Sequence, residues 1–151
     1  MESTNSIITA AIEISEIYVL EVWTKASQRM KVDPEGAITS ARTLLESVCK
    51  YILDELDQPY ADDLDLPGLY KLTSRILNLA PDQHTEQVFK QITQGVTSIV
   101  IGLGTIRNKI SDAHAINQKR LRPSHRHAAL AVNLSGSLSQ FLLQCLEAKL
   151  R

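Results

Sequence analysis

The sequence predicts an all-α protein, an up-and-down bundle of five helices. Three observations predict it. Apolar residues recur at three- and four-residue spacings along nearly the whole chain, the period of a helix that buries one face. No stretch alternates apolar and polar with a period of two, so nothing competes as a half-buried strand. The apolar stripes are separated by helix-start chemistry, with Asp or Ser beside Pro.

Residues 5–30 carry the first stripe, with Ile8, Ala11, Ile12, Leu20 and Trp23 on it and Ile7, Ile14, Ile17 and Tyr18 widening it. A helix that is apolar on more than one side points to an interface as well as a core. Asp33-Pro34-Glu35 then starts a second helix, Asp as N-cap and Pro at the first helical position. Its stripe is Ile38, Ala41, Leu45, Val48, Cys49, Ile52 and Leu56, and it fails near Asp57-Gln58-Pro59. After an acidic loop, Pro67 is expected at the first position of a short third helix carrying Leu69, Leu72, Ile76 and Leu79. Pro81 is expected to open the fourth, with Val88, Phe89, Ile92, Val96, Ile99, Val100, Leu103, Ile106 and Ile110 facing inward. Gly95, Gly102 and Gly104 lie inside it, each costing about 1 kcal/mol against alanine, and such glycines often mark close approach of another backbone. The loop 115–122 leads to Pro123-Ser124 and a last helix with Ala128, Ala131, Val132, Leu138, Phe141, Leu142, Cys145 and Leu146 on its apolar face.

A chain of 151 residues is one domain by size, here residues 1–151, and long enough to bury a core. Hydrophobic residues make up 44% and charged residues 22%, the balance of a soluble globular protein. The net charge of −1 excludes the molecule as a whole from electrostatic nucleic-acid binding, so such a role needs a local patch. Cys49 and Cys145 fall on apolar stripes and read as small buried hydrophobes. No Cys pair or Cys–His set has metal spacing. The first residues lack a basic leader, Glu13, Glu16 and Glu21 interrupt the apolar run that follows, and no run is expected to reach membrane-spanning length. A cytoplasmic protein with no membrane partner is the expectation.

The chemistry concentrates in Arg107-Asn108 and His114. A guanidinium can fork onto a phosphate, and an imidazole can take and return a proton near neutral pH. Asn108 can hold a phosphate or orient a hydroxyl through its amide. The plainer alternative is that Arg and His solvate a helix end and interact with its dipole. Seven residues on an unbroken helix separate the two side chains by about 10.5 Å along the axis. Either the helix ends near Ser111-Asp112 and His114 folds back, or two subunits each supply a pair across a twofold axis.

Residues 119–127 hold Lys119, Arg120, Arg122 and Arg126, with His125 and His127 and no acid. The segment reads as a phosphate-tracking patch beside that pair, against the alternative of a solvated loop. It contains no aromatic residue, so base stacking and strong sequence readout are not supported. His125 and His127 have no Cys, Asp or Glu at ligand spacing, and no metal site is expected. Arg42 and Glu46, one turn apart in the second helix, read as an ion pair just off the apolar stripe.

Residues 102–114, ending in Arg107-Asn108 and His114, resemble the signature of the HEPN superfamily. Ala37–Lys50, Asp65–Leu72 and Pro123–Asn133 are similar, in order and spacing, to the abortive-infection C-terminal domain, a HEPN-like family of bacterial phage defence. The likeness covers residues 35–150 and leaves the N-terminal helix, 1–31, outside it. It implies a HEPN-like helical homodimer with a shared cleft at the twofold axis, and an endoribonuclease acting in phage defence or as a toxin, with RNA as substrate. The implied reaction uses neither metal nor cofactor. A ribose 2′-OH attacks the neighbouring phosphorus and leaves a 2′,3′-cyclic phosphate, with His114 transferring the proton and Arg107 stabilising phosphoryl charge. DNA lacks that hydroxyl and is excluded. Arg42 and Glu46 fall in a matching stretch, which implies a supporting role near the cleft. Since the family's domain usually ends a longer protein, any sensor or antitoxin would be a separate partner or the N-terminal helix. The rival is a non-catalytic dimerisation or nucleotide-binding module. A DNA-binding regulator ranks lower, since no helix shows a basic recognition face.

Overall fold

The computed structural model describes residues 2–111 and 122–151, and the side chains of 4–106 and 122–151 within them. Among the described residues there are five α-helices and no strand. They are α1 (Glu2–Arg29), α2 (Pro34–Glu55), α3 (Leu66–Ile76), α4 (Gln87–Ser111) and α5 (His125–Leu150).

The helix starts follow the local chemistry. Asp33 caps α2, its carboxylate accepting the Gly36 N–H at 3.0 Å, with Arg29 Nη2 on its other oxygen at 2.8 Å. These two donors hold its carboxyl below the usual range. Asp65 caps α3 in the same way, accepting the Gly68 N–H at 2.9 Å. α3 therefore begins at Leu66, and Pro67 takes the second helical position, not the first. α2 and α3 both end on a left-handed residue, Asp57 at φ 54° and Asn78 at φ 59°. Gln58 N–H returns to Leu53 O and Leu79 N–H to Ser74 O, which satisfies carbonyls that the helix ends expose.

α2 is the hub. It packs on α5, α1, α3 and α4, and its buried row runs Ile38, Ala41, Leu45, Val48, Cys49 and Ile52, joined by Leu44 and Leu53; Leu56, the last of the expected stripe, is half-buried. α5, packed on both α2 and α1, buries Val132, Leu142, Leu143 and Leu146. α1 adds Ile12, Val19, Ala26 and Met30, and α4 adds Val100 and Leu103. Cys49 is fully buried and burial pushes its thiol up to about 12, while Cys145 is half-buried.

Several expectations change in three dimensions. Pro81 opens only a 3-10 turn, Pro81–Gln83, and α4 starts at Gln87. The turn closes because Gln83 Oε1 accepts the Ala80 N–H while its Nε2 donates to Arg75 O and Asn78 Oδ1, tying the segment to the end of α3. Leu20, placed inward by its spacing, is exposed, and Val19 and Ala26 take the core face of α1. Val88, Phe89 and Ile92 are exposed because the first turns of α4 run past the core. Phe141 of α5 is exposed too. α5 is long and apolar enough to cross a membrane by length and composition, contrary to expectation. Half of its apolar window is buried against α2 and α1, as in the core helix of a bundle.

Gly136 shows how closely α1 and α5 meet. The Trp23 indole lies where a Cβ at 136 would stand, and Trp23 Nε1 donates to Asn133 Oδ1 at 3.1 Å. The three glycines of α4 divide differently. Gly104 meets the Pro67 ring, a Cβ there lying 3.2 Å from Cδ and Cγ, whereas among the described residues nothing lies within 4 Å of a Cβ at Gly95 or Gly102.

Candidate functional site

The Arg–His pair read from the sequence begins at the C-terminal end of α4. Arg107 and Asn108 lie on its helical backbone, one turn past Gly104. Their side chains are outside the described residues, as are His114, Lys119 and Arg120 in full. The remaining cations of the basic segment are placed. Arg122 is exposed in the coil before α5, and Arg126 is exposed in its first turn. Ser124 caps α5, and His127 Nδ1 accepts the Ser124 N–H at 3.3 Å, so this ring belongs to the helix start. His125 beside it is exposed.

A cation in the first turn of a helix works against the dipole, which makes that end positive already. Arg126 therefore adds nothing to α5 through the dipole. With Arg122 it raises the positive potential at the end of the segment that leads from α4, where an anion is favoured.

The stretches that are similar in sequence are also joined in space. Gly104 of α4 rests on Pro67 of α3. Asp65, the cap of α3, lies close enough to Glu46 of α2 to push its carboxyl up. α2 packs along α5. The row Arg42, Glu46 and Lys50 thus lies on the helix that touches each of the other segments.

Within that row the structure departs from the sequence reading. Arg42 is not off the core. It is 7% exposed, paired with Glu46 at 3.1 Å, and its Nε has no hydrogen-bond partner among the described residues. Burial pushes the Glu46 carboxyl above its ordinary value, Lys50 opposes the push and Asp65 adds to it. A buried guanidinium with an unused donor is unusual, because desolvating it costs more than one ion pair returns. Periodicity alone could not find this. Arg42 follows Ala41 on the edge of the stripe, and the neighbouring helices decide which edge is covered.

Among the described residues no group of three His, Cys, Asp or Glu is placed to hold a metal ion.

The family match follows this geometry. The chain matches the Abi_C family, a HEPN-like domain, over residues 17–146. That is most of the chain, and the protein belongs to this family of helical HEPN-like domains. The match takes in the second half of α1, where the resemblance read from the sequence began at residue 35. No curated protein and no solved structure gives a significant match.

Proposed function

We propose that the protein is a metal-independent endoribonuclease of the HEPN type, working as a homodimer in phage defence or as a toxin. The observation that carries the reading is the placement of Arg107-Asn108 on the end of α4 in a chain of this family, with Arg122 and Arg126 exposed at the start of α5. The two helix ends bracket the segment that holds His114.

In this mechanism His114 removes the proton from a ribose 2′-OH, and the oxygen attacks the adjacent phosphorus. The bond to the 5′ oxygen breaks, and the proton held by His114 passes to that oxygen as it leaves, so the imidazole ends neutral. Arg107 stabilises the charge gathering on the phosphoryl oxygens, and Asn108 orients the phosphate. Each subunit of a twofold dimer supplies one such set. Exposed apolar residues on α1, Ile7, Ile14 and Ile17, and at the start of α4, Val88 and Ile92, supply the surface for assembly. Lys119, Arg120, Arg122 and Arg126 follow the RNA backbone.

The test is RNA cleavage by purified protein in EDTA. Wild type is expected to leave a 2′,3′-cyclic phosphate and a 5′-OH. His114→Ala should lose about a hundred- to ten-thousand-fold in rate, and Arg107→Ala about a hundred- to a thousand-fold. The losses should not add, because both residues serve one transition state. Cleavage that needs a divalent metal or leaves a 5′-phosphate would sink the mechanism. With no cleavage under any condition and unchanged RNA binding by His114→Ala, the non-catalytic dimerisation module becomes the better account.

A further inference from the structure

We propose that the cleft between α3, the 3-10 turn and α4 binds a small free monoanion with an apolar body. The cleft holds about 420 Å³, within the range of small-molecule sites. Pro67, Pro81, Val100 and Ile101 make most of its wall apolar. Such a lining disfavours water and favours an apolar ligand body.

The wall is preformed. Gln83 closes the turn by accepting the Ala80 N–H and ties it to the end of α3 by donating to Arg75 O and Asn78 Oδ1. Arg75 Nη2 adds an ion pair to Asp82 at 3.0 Å, joining α3 to the turn beside the cleft. A ligand therefore meets a shape that need not be organised on binding.

The polar group that sets the ligand's charge is Lys71. It lines the cleft, is exposed, and has no ion-pair partner among the described residues. Arg75, one turn on, is paired with Asp82, which lines the cleft too, so those two together add no net charge. One unpaired cation at an apolar cleft matches one anionic group. A nucleic-acid backbone would call for a row of cations, and the row in this chain lies in residues 119–126. Lys71 and Arg75 are at i and i+4 on α3, so the sequence places both cations on one face.

The experiment titrates octanoate, and octanol as its neutral counterpart, into the full chain by calorimetry and methyl NMR. One-to-one saturable binding of octanoate is expected, with shifts at Val100 and Ile101. Lys71→Ala should weaken octanoate about fivefold and leave octanol unchanged. Thr97→Phe, which places a ring in the cleft from α4, should abolish binding of both. Thermal melts establish that each variant is folded. The proposal is overturned if octanoate does not saturate, if its shifts map to α1 or Phe141, or if Lys71→Ala binds it as wild type does. It is also overturned if single-stranded oligouridylate displaces octanoate competitively, which would give the cleft to RNA.

Discussion

Arg42 and Gly136 both sit in surroundings that leave little room for another residue. Removing Arg42 leaves Glu46 without its ion-pair partner in a site where burial already raises its carboxyl. Arg42→Met should cost about 2–4 kcal/mol in denaturant unfolding, and adding Glu46→Leu should recover most of it, because a paired loss removes both desolvated charges. If the double variant is no better than the single, the guanidinium is held by something other than Glu46. The pH dependence has a definite sign. A raised carboxyl pKa means the folded state binds more protons, so Glu46 lowers stability as pH rises from its ordinary value of 4.5 through the folded value. Glu46→Gln should remove that decline from a plot of melting temperature against pH. Gly136→Ala places a methyl group in the Trp23 indole, against a rigid ring that cannot bend aside. Overpacking of this kind should cost about 2–3 kcal/mol, a drop of roughly 5–10 °C in Tm. A variant that melts with wild type would show that α1 moves freely over α5.

Among the elements, the helix starts behave as local chemistry dictates. Asp33 caps as its position predicts, and Asp65, expected only as part of an acidic loop, caps α3 by the same means, since the cap needs only a short acidic side chain and the N–H three residues on. The start of α4 fails for the same local reason turned around. Gln83 spends its amide on tying the turn to α3, so Pro81 begins a turn rather than the helix. The start of α5 carries the second prediction of function. Replacing Arg122 and Arg126 by Ser should weaken RNA binding at all sequences alike. It should flatten the salt dependence by a log–log slope of roughly 0.7 for each phosphate that is no longer neutralised on a single strand. Unchanged affinity and slope would return these arginines to a solvated surface.

For the whole molecule, the question is what covers the apolar surface. α1 shows the clearest excess, with Ile7 and Ile14 each 68% exposed on the side away from its core residues Ile12 and Val19. Light scattering at micromolar concentration should report about twice 16.8 kDa. Ile14→Glu with Ile17→Glu should shift the mass toward the monomer if α1 lies in the interface. A wild-type monomer would overturn the proposed homodimer and the cleft proposed at its twofold axis.

The helical class, the core row of α2, the cap at Asp33 and the likeness to the HEPN-like family are all legible in the order of residues alone. They depend on period, on adjacent residues or on short motifs, all of which are written along one dimension. Other features took shape only when the helices came together. Arg42 is buried, while Leu20 and Phe89 are not. Gly104 meets Pro67, while Gly95 and Gly102 meet nothing among the described residues, and a cleft opens beside Lys71. Each of these depends on which neighbouring helix covers a given edge. A helix of 3.6 residues per turn offers several edges to a neighbour, and the choice among them is made by contacts far apart in the chain.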